Sequence, residues 1–447
     1  MEKRYDVVII GAGFAGLAAG LAIKKQGLKT IILEARNRVG GRTETKWLED
    51  GTQIDLGGQW LGPTQDRMYE LAEQYGVETF PSQLFGKGQY HYLDSVHDHE
   101  PEEMLKLFEV IDELADQVDL DHPQQSPDIA AQDRMTLASW LNLQTEDEEV
   151  AGFVGRMLAG GLLASDAGEV SLFQMLYYIK AGKGVQSLLG AKGGAQQDRV
   201  VGGPQAIAEK MAEDYGSVIY QQVVKEVVRN DEGYLVKTSA GKQYEAAHVL
   251  IAVPPTVVNS KITFTPELPV WKKKMLQSIL PGSASKYHAV YQQPFWRDSG
   301  LSGQRNMSKG LIIESLDNSL VDQKKGILTF FVYGIDSIQL SKLPEEERKA
   351  QLIEELVKLY GEEARYPEHF ITQDWNEEPF TNGCFSGHFT PGGFIKYGEY
   401  LQSEVEGIHF AGTETATIWN GYFEGAVRSG EREAQKIVEK SEVKSGE

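Results

Sequence analysis

Read for apolar and polar positions, the chain opens on Val7 to Ile10, an unbroken apolar run of the kind that forms a parallel strand buried on both faces. A turn rich in small residues, Gly11 to Gly13, leads to a stretch that predicts a helix starting near Phe14. Lys29 to Leu33 then predicts a second buried strand. Glu102 to Gln117 has amphipathic helical spacing. Leu137 to Leu189 reads as mostly helical, with a break at Gly160-Gly161 and an apolar helix around Leu172 to Ile179. Lys192 to Gln197 predicts a loop and Pro204 to Glu213 a helix. Short β pieces follow at Val223-Val224 and Tyr234 to Thr238, and a buried strand from His248 to Val253 stops at Pro254-Pro255. Strands are predicted at Ser285 to Tyr291, Leu311 to Ile313 and Ile327 to Tyr333, and helices at Pro344 to Tyr360 and Tyr422 to Lys440. No internal repeat is visible.

Composition narrows the classes of function. At 447 residues the chain exceeds one typical domain. Its 44 basic and 65 acidic residues give a net charge of −21, which argues against nucleic acid or an anionic membrane surface as partner. The balance suits a cationic ligand, although screening confines steering to about 8 Å and most of these charges are expected to be solvated. The single cysteine cannot form an internal disulfide, which fits a reducing, cytoplasmic setting. No run reaches about 18 apolar residues, so no membrane anchor is expected. There is no metal-ligand spacing, and no histidine beside a serine elbow.

The strongest chemistry lies in the first elements. Gly11, Gly13 and Gly16 follow the first strand at dinucleotide-fingerprint spacing. The first allows the tight turn, the second lets a pyrophosphate approach the backbone, and the third lets helix and strand pack closely. The helix N-terminus aims N–H groups at that phosphate. Glu34 ends the second strand, where a carboxylate can accept both hydroxyls of an adenosine ribose and repel a 2′-phosphate. The run Ala35-Arg36-Asn37-Arg38-Val39-Gly40-Gly41-Arg42 is a glycine-hinged loop with three arginines, able to fold over a diphosphate. Near the other end, Ile408 to Thr415 reads as a short strand, a glycine, polar residues and another helix start.

The EARxRxGGR run at Glu34 to Arg42 resembles the GG-doublet flavoproteins, and Ala411-Gly412-Thr413-Glu414 resembles the C-terminal FAD signature of the same family. The block from Trp375 to Ser386, with Gly421-Tyr422, is similar to the flavin-containing monoamine oxidases. The resemblance runs from Tyr5 to about Lys440. It implies an α/β fold in which a Rossmann-like FAD-binding domain of the GR2 type interleaves with a substrate domain of mixed β-sheet plus helices. The expected boundaries are 1–81, 196–260 and 376–440 for FAD, 82–195 and 261–375 for substrate, and 441–447 as a charged tail.

The same resemblance implies FAD contacts at Gly11, Gly13, Phe14, Ala15, Gly16, Glu34, Ala35, Arg36, Gly40, Gly41, Arg42, Gly57, Gly58, Gln59, Trp60, Val224, Trp375, Gly412, Thr413, Glu414 and Tyr422, and a covalent bond from Cys384 to the flavin 8α-methyl. Read alone, Cys384 equally suits a free thiol packed as a small hydrophobe. The catalytic set it implies is Lys286, Phe385 and Tyr422. Two aromatic faces would guide and desolvate an amine, favouring its neutral form. Lys286 would hold a water near flavin N5, whereas a strand lysine read alone is more often solvated. Trp375 and Trp419 suit either the flavin or the core. The implied activity is oxidative deamination of a primary or secondary amine with O2, yielding aldehyde or ketone, ammonia or a smaller amine, and hydrogen peroxide. Putrescine or polyamine oxidase and L-amino acid oxidase are alternatives, as are an oxygen-excluding dehydrogenase and a non-catalytic flavoprotein. A diamine calls for a cavity carboxylate and an amino acid for a cavity arginine, with candidates between Glu102 and Gln197. A homodimer is compatible with this reading.

Overall fold

The computed structural model describes residues 4–83, 85–321 and 324–445. Its first sheet is laid down by apolar strands that no polar face interrupts. Tyr5–Ile10 is flanked in parallel by Thr30–Leu33 on one side and Gln243–Ile251 on the other. Val218–Ile219 adds to the outer edge of Thr30–Leu33, and Ile408–Phe410 pairs with the end of Gln243–Ile251. The other half of Gln243–Ile251 turns to an antiparallel ladder with Gly233–Thr238, followed by Val224–Asn230 and Thr263–Thr265. Short connections carry the chain from Ile10 into the helix Phe14–Lys25 and back to Thr30, a parallel βαβ unit. The helix Phe423–Ser445 lies against Phe14–Lys25. It comes close because Gly430 has no side chain: a Cβ there would sit 2.1 Å from the Ala15 carbonyl oxygen.

A second sheet runs in the order His369–Asp374, Ala284–Tyr291, Gly326–Tyr333, Glu314–Asp317, Leu301–Met307, Lys87–Tyr92, Ser95–His97. Its central strands Ala284–Tyr291 and Gly326–Tyr333 are buried along their whole length. Helices between 102 and 189 pack beside it. Glu102–Asp116 buries Met104, Leu107, Phe108, Ile111 and Ala115, an i, i+3, i+4 stripe that its amphipathic spacing requires.

Three local expectations are corrected. Gly160-Gly161 does not break the helical run: Arg156–Gly160 forms a π-helical turn that passes directly into Gly161–Leu163. Gly160 is a packing position instead, since a Cβ would lie 3.2 Å from Ile313 Cδ1 and 3.4 Å from Tyr333 Cδ2. Leu311 to Ile313 is not a strand. The ladder pairs Arg305 with Ser315 and Asn306 with Glu314, and a Met307 N–H to Ile313 carbonyl bond of 2.9 Å closes the connection. The strand therefore starts one residue after the apolar run, at Glu314. After Gly412 the chain makes only the 3₁₀ turn Thr413–Thr415, and the helix begins at Phe423. Of the charged tail, 441–445 continue that helix, while 446–447 lie outside the described residues, as do 1–3. Among the described residues no helix is long and apolar enough to cross a membrane.

Candidate active site

One large cavity lies between the two sheets, enclosing about 1900 Å³ with its mouth included.

At one end Gly11 turns at φ +103°, where a Cβ would come 2.8 Å from the Ala252 carbonyl oxygen. Gly13 and Gly41 face each other: a Cβ on Gly41 would stand 3.5 Å from the Gly13 Cα, and one on Gly13 4.0 Å from the Gly41 Cα. A side chain on either would fill the cradle. Phe14, Ala15, Ala35 and Gly40 line the same end. Glu34 also faces the cavity, and its carboxylate accepts the N–H groups of Ala12 at 2.8 Å and Arg36 at 2.9 Å. Those bonds aim it across the end of the strand. Gly16 does not line the cavity, a correction to its place among the cofactor contacts. A Cβ there would sit 2.0 Å from the Gly11 carbonyl oxygen, so Gly16 acts through helix–strand packing.

The three arginines part company. Arg36 lines the cavity, paired with Glu378 at 2.9 Å, with its buried Nε unpartnered. Arg42 lines it too, bonded to Glu414 at 2.7 Å and to the Phe385 carbonyl at 2.6 Å. Burial works to raise the Glu414 carboxyl, but Arg42 together with the Gly387 N–H holds it below the usual range. Arg38 instead bonds Glu44 at 2.7 Å and the carbonyls of Gly41 and Thr43, stitching its own loop.

The middle and far end hold the other sequence candidates. Gly57, Gly58, Gln59, Trp60, Val224, Trp375, Gly412, Thr413 and Tyr422 all line the cavity. Trp375 is fixed by its indole N–H to the Leu56 carbonyl at 3.0 Å. Trp419 is buried but not on the cavity; its indole N–H goes to Thr64, which makes it a core residue. Gly383, at φ +127°, itself passes close to Pro281 and Gly282, where a Cβ on it would clash at 2.5 and 2.6 Å, and Cys384 follows it on the cavity wall. Burial pushes the Cys384 thiol up to about 11, against the pull of Arg42 and Lys286.

Phe385 packs edge-on to Tyr333 with centroids 5.4 Å apart, and Tyr422 to Trp419 at 4.9 Å. Lys286, opposite Phe331 in the ladder, is 3% exposed and not solvated. It donates to the Gly57 carbonyl at 2.8 Å and to Gln59 Oε1. Burial lowers it to about 7, with Asp55 opposing.

Sequence reasoning missed Tyr178, Phe331, Tyr333 and Glu314, which also face this end. The aromatics sat in runs that read as core. Glu314 offered one signal, an acid directly after the apolar pair Ile312-Ile313. Its carboxylate accepts the Tyr333 hydroxyl at 2.6 Å, and burial raises it against the pull of that bond and Lys286. This corrects the expectation that a cavity carboxylate would come from between Glu102 and Gln197: the lining residues from that stretch are uncharged. Among the described residues no cluster could hold a metal ion.

A dinucleotide cradle joined to an aromatic chamber with a buried lysine defines a flavin-dependent oxidoreductase. The model of the flavin containing amine oxidoreductase family matches residues 14–438, and the chain belongs to that family. It is 31% identical to the flavin-containing amine oxidase B of Homo sapiens over 458 residues, which cover 98% of this chain and 87% of the human one. Wild-type putrescine oxidase bound to putrescine superposes with a TM-score of 0.93 at 32% identity, covering 98% of this chain and 99% of the other. Cyclohexylamine oxidase from Brevibacterium oxydans does so at 0.92 and 32%, covering 98% and 100%. The protein is thus an oxidoreductase acting on amines, with the α/β fold of the FAD-dependent amine oxidases.

Proposed function

We propose that the protein deaminates a small primary or secondary amine oxidatively, with O2 as acceptor and hydrogen peroxide as product, and that the cavity holds FAD. The observation that carries this is the convergence of Lys286, Phe385, Tyr422 and Cys384 at one end of a cavity whose other end is the glycine cradle. FAD, when bound, would supply the acceptor for a hydride equivalent (two electrons and one proton) from the amine carbon while the nitrogen loses a proton, and both electrons and both protons would pass to O2 as hydrogen peroxide, water then hydrolysing the imine. Gly13, Gly41, Glu34 and Arg36 would hold its dinucleotide part. Phe385, Tyr422, Tyr333 and Tyr178 exclude water and line the approach, which favours the neutral amine whose lone pair is free. Lys286 stands ready to hold a water and to stabilise negative charge. The domain boundaries given above, and the assignment of the first set of segments to FAD, belong to the same reading.

We further propose that Cys384 bonds the flavin. It is the chain's single cysteine, and Gly383 delivers it to the cavity. A matching putrescine oxidase structure comes from a redesign of cofactor binding by an alanine-to-cysteine change, which is in keeping with a cysteine bearing on flavin attachment. Acid precipitation tests it: yellow colour in the pellet is expected, and colour in the supernatant refutes the bond.

Glu314 favours a second reading, a diamine oxidase. A half-buried carboxylate in an aromatic chamber, bonded to one neutral hydroxyl, suits a second ammonium group. Peroxide release from benzylamine, tyramine, putrescine, spermidine and amino acids separates the readings. Preference for putrescine that Glu314→Gln reduces about tenfold or more, with monoamines unaffected, supports the diamine; peroxide from no amine sinks the proposed function.

A further inference from the structure

The surroundings of Lys286 contain an arrangement that substrate and cofactor contacts do not explain. Gln59 and Asn318, at 1% and 3% exposure, bond each other reciprocally. Gln59 Nε2 donates to Asn318 Oδ1 at 2.7 Å, and Asn318 Nδ2 donates back to Gln59 Oε1 at 3.3 Å. Turning either amide over alone would break the pair, and Lys286, which donates to the oxygen, selects the sense in which Gln59 Oε1 faces it. Asn318 is itself pinned. Its N–H donates to the Ile327 carbonyl at 2.7 Å, and its carbonyl accepts Arg199 Nη1 at 2.8 Å. The second Arg199 nitrogen, Nη2, is 2.9 Å from Asp55, whose carboxylate also takes Gln53 Nε2 on both oxygens at 3.0 Å. Asp55 is therefore spent on other donors, and among the described residues no carboxylate lies within ion-pair distance of Lys286.

We propose that the Gln59–Asn318 amide pair is a positioning device for Lys286, committing two valences of its nitrogen to fixed neutral acceptors so that only the third, turned to the cavity, exchanges a proton. An amine and an ammonium both have the two N–H bonds that Gly57 and Gln59 require. The nitrogen keeps its place in either state, and the change of charge falls entirely on the third position. A carboxylate in place of Gln59 would bind the ammonium selectively and hold the proton. The charged and titratable groups facing Lys286 are Asp55, Arg199, Glu314 and Cys384, each on a different strand, with His288 on its own strand kept neutral by burial. With no direct counter-ion the lysine lies near neutrality, in agreement with this arrangement. The use made of the proton rests on the proposed amine-oxidase reading; the titration does not.

The test uses the full FAD-containing chain with ¹³C-labelled lysine, the Lys286 ε-carbon resonance being identified by its loss in Lys286→Met. Gln59→Glu should move its titration midpoint upward by about 1–3 pH units, the effect of an opposite charge at contact. Asn318→Asp, one amide further away, should move it the same way by less, and it keeps the argument testable if the first variant folds poorly. The pH profile of amine oxidation should follow the resonance, and in a Lys286→Met background Gln59→Glu should leave that profile unmoved. The proposal is overturned if both variants, folded and carrying FAD, titrate as the parent does, or if the profile still shifts without Lys286. If the parent makes no peroxide from any amine, the functional reading fails while the resonance continues to report on the amide pair.

Discussion

Lys286 shows how far a residue's chemistry depends on what surrounds it. A strand lysine is ordinarily a solvated cation. Here two neutral acceptors hold it in a chamber walled by Trp60 and Phe331, whose ring centroids lie 5.5 and 5.6 Å from Nζ. On the proposed reading, a cation so placed would stabilise charge as oxygen is reduced, because nothing must reorganise when the charge forms. Replacing Lys286 by Met should slow reoxidation by oxygen on the order of 10²-fold while FAD content stays unchanged. Stopped-flow mixing of reduced protein with oxygen measures this, and an unchanged rate removes Lys286 from the chemistry. The arginines teach a related point. Sequence presents three equivalent guanidinium groups, and their counter-ions sort them. Glu44 and nearby carbonyls draw Arg38 into its own loop, whereas Glu414, 372 residues away in sequence, keeps Arg42 on the cavity.

At the scale of elements, the cavity depends on helices that touch along glycine. Phe14–Lys25 and Phe423–Ser445 meet where Gly430 passes the Ala15 carbonyl, and Phe14 and Phe423 pack with centroids 5.4 Å apart. Gly430→Ala would force backbone apart, since a Cβ there would sit only 2.1 Å from the Ala15 carbonyl oxygen. The variant should lose about 1–3 kcal/mol of stability despite alanine's better helix propensity. Gly152, inside Glu148–Gly155, has nothing within 4 Å of a built Cβ, so Gly152→Ala should gain about 0.5–1 kcal/mol. Urea unfolding of the two variants checks the contrast, and equal effects would show that packing is not what Gly430 contributes. The sequence marks such glycines but does not tell a breaker from a contact, as Gly160 shows.

Across the whole molecule, two buried lysines couple stability to pH. Lys272 is fully buried beneath Phe410, bonded to the carbonyls of Tyr400 at 2.8 Å and Ser403 at 3.0 Å. Burial lowers it to about 7, with Glu433 opposing and Lys436 assisting. Its unfolded value is near 10.4. Between those limits the unfolded chain binds the proton and the folded one does not, so stability rises with pH; below about 7 both bind it and the dependence ends. Each such lysine adds roughly 1.4 kcal/mol per pH unit across the window. Lys272→Met should flatten the rise in unfolding midpoint between neutrality and the onset of tyrosine ionisation. A slope the same as the parent's would refute the assignment.

The glycine-lined end of the cavity and the family were legible in the residues alone, because a glycine turn, a strand-ending acid and a glycine-arginine loop act through the backbone within a few dozen positions. What only the tertiary structure decided is which distant groups meet. Glu314 and Tyr333 face Tyr178 and Lys286 because separate strands and a helix converge on one chamber, and nothing local marks an aromatic as lining or core. Charge states were settled at the same level. Whether a lysine, thiol or carboxyl keeps its proton follows from burial and from the partners that folding brings to it, and neither is written in the residue itself.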